Sequence, residues 1–216
     1  MLVLILWFTL WFTMTSNIKS HRPKWTHTGA ILAGGKSKRM GSPKPDILLP
    51  DGRSMLDHVL ETLSLVCKQI VIVGEWKKRE NEKEENKKGI IQIADHIPGL
   101  GPLEGIGTLL SSNLDSEYLI VACDQPFLTT ELLLKLVEKS STSLQLFNFE
   151  DDKKIQPFPG YYPVSCLSYI KKSIELSKNA MHEFIGSTSV NWIQMSKDSE
   201  QFVKSINTPE ELQSIS

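Results

Sequence analysis

The stretch Gly-Ala-Ile-Leu-Ala-Gly-Gly-Lys-Ser-Lys-Arg-Met-Gly-Ser-Pro-Lys, at residues 29–44, decides the fold of this chain. Its apolar run ends at two adjacent glycines, and four cations then follow within nine residues. This order predicts a buried strand that ends in a glycine-rich, basic loop. Adjacent glycines let backbone N–H groups approach an anion closely, and the cations supply the opposite charge. The stretch favours a polyphosphate site, with a solvated surface turn as the alternative.

Two common phosphate-binding motifs are excluded by the spacing of these glycines. A Walker loop needs Gly-x-x-x-x-Gly-Lys-Ser/Thr, and a dinucleotide-binding loop needs Gly-x-Gly-x-x-Gly at the start of a helix. Neither pattern occurs in the sequence.

The overall composition is that of one α/β domain. The chain has 216 residues, 40% of them hydrophobic, which is enough for one substantial core. The net charge of -1 predicts no binding to nucleic acid and restricts an anion site to a local patch. The three cysteines lack the spacing of a zinc site or a disulfide framework, so we expect a reducing, cytoplasmic location.

Residues 1–27 form an apolar and then polar leader, which we expect to lie outside a single domain at 28–216. Its apolar part, residues 1–14, lacks the initial positive charge and the cleavage site of a signal peptide. It is also shorter than the roughly 20 residues that a membrane span needs. The readings, in order of preference, are an extended or misassigned start, a peripheral anchor and secretion.

Strands and helices alternate after the first loop. Runs at 69–73, 90–94 and 118–123 predict strands, because they are short, apolar and rich in β-branched residues. Apolar residues spaced three and four apart predict a helix over 54–65 and another that begins at a Thr129 or Thr130 cap. This order predicts an α/β fold of the three-layer, Rossmann-like type with a mostly parallel central sheet.

The last third of the chain shows a different pattern of predicted elements. We predict a hairpin over 144–157, a helix over 166–176 capped by Ser165, and a strand over 190–195. Thr-Pro-Glu-Glu at 208–211 has the form of a capping box with proline at the first helical position, which predicts a final helix.

Acidic residues follow two of the predicted strands. Asp95 comes after the strand at 90–94, and Asp124 after the strand at 118–123. Because ligands of open α/β sheets bind at the carboxyl ends of strands, we expect the cationic loop and both carboxylates in one crevice. Mg²⁺ is typically held by one or two carboxylates together with substrate phosphates. Asp124 is therefore the predicted magnesium ligand, and the alternative is an aspartate that caps a turn.

Several motifs together resemble the molybdenum cofactor guanylyltransferase family. The first loop carries Leu-Ala-Gly-Gly at 32–35, Ser37, Arg-Met-Gly at 39–41 and Lys44. Asp95 and three later motifs then follow in the family's order and spacing: Gly-Pro-Leu-x-Gly at 101–105, Cys-Asp-x-Pro at 123–126 and Asn-Thr-Pro-Glu-Glu-Leu at 207–212. One departure is Ser205, which stands where the family pattern has an asparagine.

The resemblance implies a nucleotidyltransferase fold and the transfer of GMP from GTP to molybdopterin carrying molybdenum. The products are diphosphate and the guanine dinucleotide form of the cofactor. By similarity, Leu32, Ala33, Gly34, Lys44 and Asp95 contact GTP. Molybdoenzymes or other proteins of cofactor biosynthesis are the protein partners that such an activity implies.

The resemblance also implies roles in catalysis. Asp124 contacts both the nucleotide and Mg²⁺, and Arg39 is similar to the family's arginine that neutralises the leaving diphosphate. The expected catalytic residues are Arg39, Lys44 and Asp124. Gly35 of the first loop and Gly105 of a second glycine-rich loop, which we predict over 99–105, complete the nucleotide-binding set.

Three other functions are alternatives to this one. Pro-Lys at 43–44 also fits the first loop of a CTP-dependent molybdopterin cytidylyltransferase, although Gly-Pro-Leu at 101–103 and Asn-Thr-Pro at 207–209 are more similar to the guanylyl branch. Sugar-1-phosphate nucleotidyltransferases are usually longer and more often carry Gly-Thr-Arg after the first glycines. A cofactor carrier without turnover is disfavoured, because Arg39, Lys44 and Asp124 are all intact.

Overall fold

The computed structural model describes residues 26–34, 40, 42–74, 89–94, 101–138, 142–149 and 155–215. The predictions for residues 1–25 of the leader, and for Gly35, Arg39 and Asp95, lie outside these residues. The division of the chain into a leader and one domain stays a prediction. Within the described residues, no helix combines the length and the apolar character needed to cross a membrane.

A seven-stranded sheet, formed by the described residues, is the centre of the fold. Its strands are β1 (Thr28–Leu32), β2 (Gln69–Val73), β3 (Ile90–Ile93), β4 (Glu117–Ala122), β5 (Leu144–Phe149), β6 (Gly160–Pro163) and β7 (Val190–Met195). The order across the sheet is β3-β2-β1-β4-β6-β5-β7. β6 runs antiparallel to β4 and β5, and the other pairs are parallel. The predicted mostly parallel sheet is confirmed.

Helices cover both faces of the sheet. In the described part of the chain they are α1 (Met55–Ser64), α2 (Pro102–Leu110), α3 (Thr130–Val137), α4 (Leu167–Glu175), α5 (Met181–Ser187) and α6 (Pro209–Gln213). Alternate residues of the strands point to opposite faces, so Ile31 packs with α1 and α3 while Ala30 packs with α2, α4 and α5. Two hydrophobic cores thus lie on either side of the sheet, which confirms the three-layer prediction.

Side-chain caps fix the starts of three helices. The Ser54 hydroxyl accepts from the Asp57 N–H, and the Asp57 carboxylate accepts from the Ser54 N–H in return. Thr129 caps α3 in the predicted way, and Thr208 caps α6 with proline at the first helical position. Each cap satisfies N–H groups that the helix itself leaves without an acceptor.

Two predictions for the last third are wrong in detail. The return strand of the hairpin is β6, and residues 155–159 have no regular structure. The physical reason is burial, because Tyr161 and Tyr162 are fully buried in β6 whereas Ile155 is 36% exposed. Ser165 does not cap α4. Its hydroxyl donates to the Thr142 carbonyl, and α4 begins after a turn of 3-10 helix at Val164–Cys166.

Candidate active site

The carboxyl ends of four parallel strands lie side by side at one edge of the sheet. Leu32 at the end of β1 is in register with Val73 of β2 on one side and with Ala122 of β4 on the other. Val73 is in register with Ile93 of β3. The basic loop that follows β1 and the acidic residue that follows β4 therefore start from neighbouring positions, as the sequence predicts.

A close contact between glycines fixes the start of the basic loop. Gly74, which follows β2, has a φ of +111°, and a Cβ at this position would lie 2.8 Å from the backbone nitrogen of Gly34. Side chains rarely adopt this φ, and a Cβ at 2.8 Å would collide with the main chain. Glycine is therefore the only residue that position 74 accepts without movement of the loop.

Three polar side chains from distant parts of the chain meet at this edge. The Lys44 Nζ donates to Asp124 Oδ2 at 2.5 Å and to Asn207 Oδ1 at 2.6 Å. The side chains of Lys44 and Asp124 are 24% and 12% exposed, so water shields their charges only partly. A short, charge-assisted pair in such surroundings is stronger than an ion pair on the open surface. The cationic segment and the acid that the sequence predicts to share a crevice are thus in direct contact.

A small hydrophobic cluster supports the backbone beneath Lys44. Lys44 opens the 3-10 helix Lys44–Asp46, and the next residues in the chain bury Ile47 and Leu49 against Met55 of α1 and Ile206. The Met55 N–H also donates to the Ile47 carbonyl at 2.9 Å. The 3-10 helix that contains Lys44 is therefore anchored at both α1 and the C-terminal part of the chain.

Asp124 is held by its backbone, and one of its carboxylate oxygens has no hydrogen-bond partner among the described residues. The Ile206 N–H donates to the Asp124 carbonyl at 2.9 Å. The next residue, Gln125, is buried, and its amide group donates to the carbonyls of Phe158 and Val203 at 2.8 and 2.7 Å. Among the described residues, Asp124 Oδ1 is buried and has no hydrogen-bond partner. The carboxylate is rigidly placed and only half satisfied.

Asn207 is a site residue that the sequence analysis missed. The cap of α6 fixes its backbone, because Glu211 Oε2 accepts from the Asn207 N–H at 2.6 Å and from the Thr208 N–H at 3.2 Å. The Asn207 side chain is thereby directed to Lys44, 163 residues away in sequence. The available signal was the Asn-Thr-Pro motif, which contributes to the family resemblance and predicts the helix cap but assigns no role in the site to Asn207.

The cysteine beside Asp124 is not a nucleophile. Burial, together with the negative charge of Asp124, raises the pKa of the Cys123 thiol to about 12, against the opposing effect of Lys44. The thiol is therefore protonated at neutral pH, when only a thiolate would attack a substrate. Cys123 therefore supplies no nucleophile to this site.

The residues at this edge fit one divalent cation that arrives with a phosphate ligand. The described residues include no group of three or more His, Cys, Asp or Glu side chains that could enclose a metal by themselves. The buried and unpartnered Asp124 Oδ1 is one hard oxygen ligand, and leaving it unsatisfied costs free energy. One carboxylate completed by substrate phosphates and water is the coordination that Mg²⁺ adopts at many nucleotide sites.

The other predicted residues that the structure describes lie at the end of β1 and in α2. Leu32 and Ala33 are 8% and 6% exposed, and Gly34 is exposed at the end of β1. Gly105 lies inside α2 and is buried, so it is part of a helix and not of a loop. Gly101, which has a φ of +91°, forms the N-cap of that helix. The predicted roles of Gly35, Arg39 and Asp95, which lie outside the described residues, stay predictions.

Comparisons with known proteins agree on one family. The family model described as MobA-like NTP transferase domain matches residues 29–190. A probable molybdenum cofactor guanylyltransferase from Rhodopirellula baltica is 30% identical over 85% of this chain and 89% of its own length. Another from Pelotomaculum thermopropionicum is 32% identical over 86% of this chain and 89% of its own length.

A solved structure agrees with the fold. The crystal structure of molybdopterin-guanine dinucleotide biosynthesis protein A from Archaeoglobus fulgidus matches with a TM-score of 0.68. The match covers 87% of this chain and 96% of that one, at 24% identity. At this sequence identity, the structural similarity shows a shared fold only.

Proposed function

The chain belongs to the MobA-like NTP transferase domain family, and we propose that it transfers GMP from GTP to molybdopterin carrying molybdenum. Diphosphate and the guanine dinucleotide form of the cofactor are the products. The observation that carries the proposal is the contact of Lys44 with Asp124 at the carboxyl edge of the sheet. The Lys44 ammonium and the Asp124 carboxylate, one of whose oxygens has no partner among the described residues, lie at the carboxyl ends of the strands, where open α/β sheets bind their ligands. The names of the related guanylyltransferases support the choice of substrates.

The reaction is an in-line displacement at the α-phosphorus of GTP. An oxygen of the molybdopterin phosphate forms a bond to that phosphorus, while the bond to the bridging oxygen breaks and diphosphate leaves. Such a step needs alignment and neutralisation of charge more than a protein nucleophile. The proposed step forms no covalent bond to the protein, and this agrees with a Cys123 thiol that is protonated at neutral pH.

The protein's groups divide this work. Lys44 supplies a cation for the phosphates, and Arg39 neutralises the leaving diphosphate. Asp124 holds Mg²⁺, which when bound would neutralise phosphate charge and orient the triphosphate. The backbone at the end of β1, namely Leu32, Ala33, Gly34 and Gly35, approaches the nucleotide, because glycines there leave N–H groups accessible. Asp95 and Gly105 belong to the nucleotide-binding set on the strength of the family pattern alone.

We further propose that the protein acts in the cytoplasm. Cys67, Cys123 and Cys166 are free and buried, which agrees with a reducing compartment. Molybdoenzymes, which would receive the finished cofactor, and other proteins of cofactor biosynthesis are the protein partners that we propose.

A competition assay tests the function. The purified protein is incubated with molybdopterin, Mg²⁺ and equal GTP and CTP, each labelled at the α-phosphorus, and the label in the dinucleotide product is measured along with diphosphate release. We expect guanine dinucleotide to dominate. Preferential use of CTP would assign the chain to the cytidylyl branch, and binding of nucleotide without any diphosphate release would leave a carrier protein.

A further inference from the structure

The Lys44 ammonium is bound to one of the two carboxylate oxygens of Asp124, and the other oxygen has no hydrogen-bond partner among the described residues. Its Nζ lies 2.5 Å from Asp124 Oδ2, in a pair whose carboxylate side chain is 12% exposed. The negative charge that would attract a divalent cation is therefore already balanced by a cation of the protein itself. A second cation on the same carboxylate would repel the ammonium, because water screens charges little in such a site.

We propose that Lys44 is a resident counter-cation, which Asp124 exchanges for the divalent metal when the nucleotide binds, and that Asn207 is the positioning residue for Lys44 during this exchange. The inference rests on the proposed function, since it needs a metal at Asp124 and a triphosphate beside it. The triphosphate adds enough negative charge for the metal and the ammonium to stay in the site together. The metal thus binds with the nucleotide and not before it.

The lysine side chain is suited to such a movement. It has a flexible four-carbon stem and three rotatable donors, so its ammonium can turn from a carboxylate to a phosphate oxygen over a short distance. Asn207 Oδ1, at 2.6 Å from Nζ, is a neutral acceptor that keeps one donor of Lys44 occupied in both positions. A second carboxylate in its place would add a negative charge that repels the triphosphate.

Asn207 itself is fixed while Lys44 moves. Its backbone N–H donates to Glu211 Oε2 at 2.6 Å, within the cap of α6. The preceding Ile206 N–H donates to the Asp124 carbonyl at 2.9 Å, which ties this segment to the end of β4. Asn207 and Asp124 therefore keep a constant separation, and the Lys44 ammonium is the mobile partner between them.

Binding of Mn²⁺, followed by the electron paramagnetic resonance of the free ion, tests the exchange without turnover. The full chain is titrated alone and with a GTP analogue that carries a methylene group between the α- and β-phosphorus. Without nucleotide, we expect Lys44→Met to bind Mn²⁺ at least about tenfold more tightly than the unaltered protein, because the resident cation is gone. With the analogue, we expect the same variant to bind Mn²⁺ about tenfold more weakly, because the triphosphate has lost its ammonium partner.

This reversal of sign separates an exchange from a structural role, since general loosening of the site would weaken binding in both titrations. Lys44→Arg keeps the charge and should keep nucleotide-free binding weak. Asn207→Ala should weaken Mn²⁺ binding with the analogue about tenfold, the effect of one lost hydrogen bond to a charged group. Lys172→Met, on the exposed side of α4, makes the same change in net charge and should alter neither titration. Thermal unfolding of each variant confirms that it is folded.

Two failures are distinguishable. Equal nucleotide-free affinity for Mn²⁺ in Lys44→Met and in the unaltered protein would overturn the exchange while leaving the transferase function intact. Tighter nucleotide-free binding in Lys44→Arg would overturn it as well, since the charge would then not be the cause. If Asp124→Asn binds Mn²⁺ with the analogue as tightly as the unaltered protein, the metal site of the proposed function is itself wrong.

Discussion

The contact between Gly74 and Gly34 allows one substitution to be worked through in detail. In Gly74→Ala the new Cβ would start 2.8 Å from the Gly34 nitrogen, and ordinary van der Waals contact begins at 3.4 Å. The Gly34 backbone must therefore shift by several tenths of an ångström. The positive φ of +111° adds about 1–2 kcal/mol of strain, and the collision adds about 1–3 kcal/mol. We expect a total loss of about 2–5 kcal/mol in the free energy of unfolding.

Activity should fall as well, because Gly34 begins the loop that we expect to bind the triphosphate. Misplacement of a positioning group by 1 Å costs about a hundredfold in rate, so a shift about half that large should lower kcat/KM for GTP by about tenfold. Urea unfolding and initial rates of diphosphate release measure the two effects. A crystal structure of the variant would measure the shift directly.

Gly89→Ala is a matched control for this experiment. Gly89 has a similar φ of +97°, but the nearest atom to its Cβ position is the Lys68 carbonyl oxygen at 3.9 Å. The control should therefore carry the strain of about 1–2 kcal/mol without the collision. Gly89 also precedes β3, so it lies at the amino ends of the parallel strands, whereas the site lies at their carboxyl ends. If both variants lose the same stability and Gly74→Ala keeps its full kcat/KM, then Gly74 does not position the loop.

Further outcomes follow from the same site. Asp124→Asn keeps the shape and a hydrogen-bond acceptor for Lys44 but loses the charge-assisted pair, so the melting temperature should fall, and kcat for diphosphate release should fall about 10²–10³-fold in the folded variant; unchanged kcat would remove this acid from the mechanism. The three buried cysteine thiols, whose pKa burial raises to about 12, should resist iodoacetamide at pH 8.5 until urea unfolds the chain. Because their pKa is higher in the folded than in the unfolded state, stability should be constant below about pH 9 and should fall between about pH 9 and 12 in urea titrations. Thr208→Ala should cost about 1 kcal/mol through loss of the α6 cap, and Thr208→Ser should restore it in urea unfolding.

Most of the sheet could be predicted because its strands are encoded locally. The runs at Gln69–Val73 and Val190–Met195 coincide with the predicted ranges, since each is a short apolar or alternating segment between polar turns. β6 was misplaced by several residues because its burial comes from two tyrosines that pair with a distant strand. A pattern confined to one segment carries no information about such a partner.

The site, too, was predictable where topology determines it and not where the packing of distant segments does. Lys44 and Asp124 were expected together because parallel topology alone brings the ends of β1 and β4 to one edge. Their direct contact at 2.5 Å could not be predicted, since it depends on how the 3-10 turn at Lys44–Asp46 packs on Ile47, Leu49 and Met55. That cluster combines residues from segments that no periodicity connects.

Asn207 is the clearest case of a residue whose function is invisible to local patterns. As a local pattern, the Asn-Thr-Pro-Glu-Glu motif predicts only the cap of α6, in which Thr208 and Glu211 satisfy each other's N–H groups. The same cap also orients the asparagine before it, so one motif both starts a helix and holds the lysine of the site. Weakening the cap should therefore reach the nucleotide as well as the fold. A Thr208→Ala variant that loses stability but keeps its full affinity for GTP would separate the two roles, and would leave Asn207 fixed by its bond to Glu211 alone.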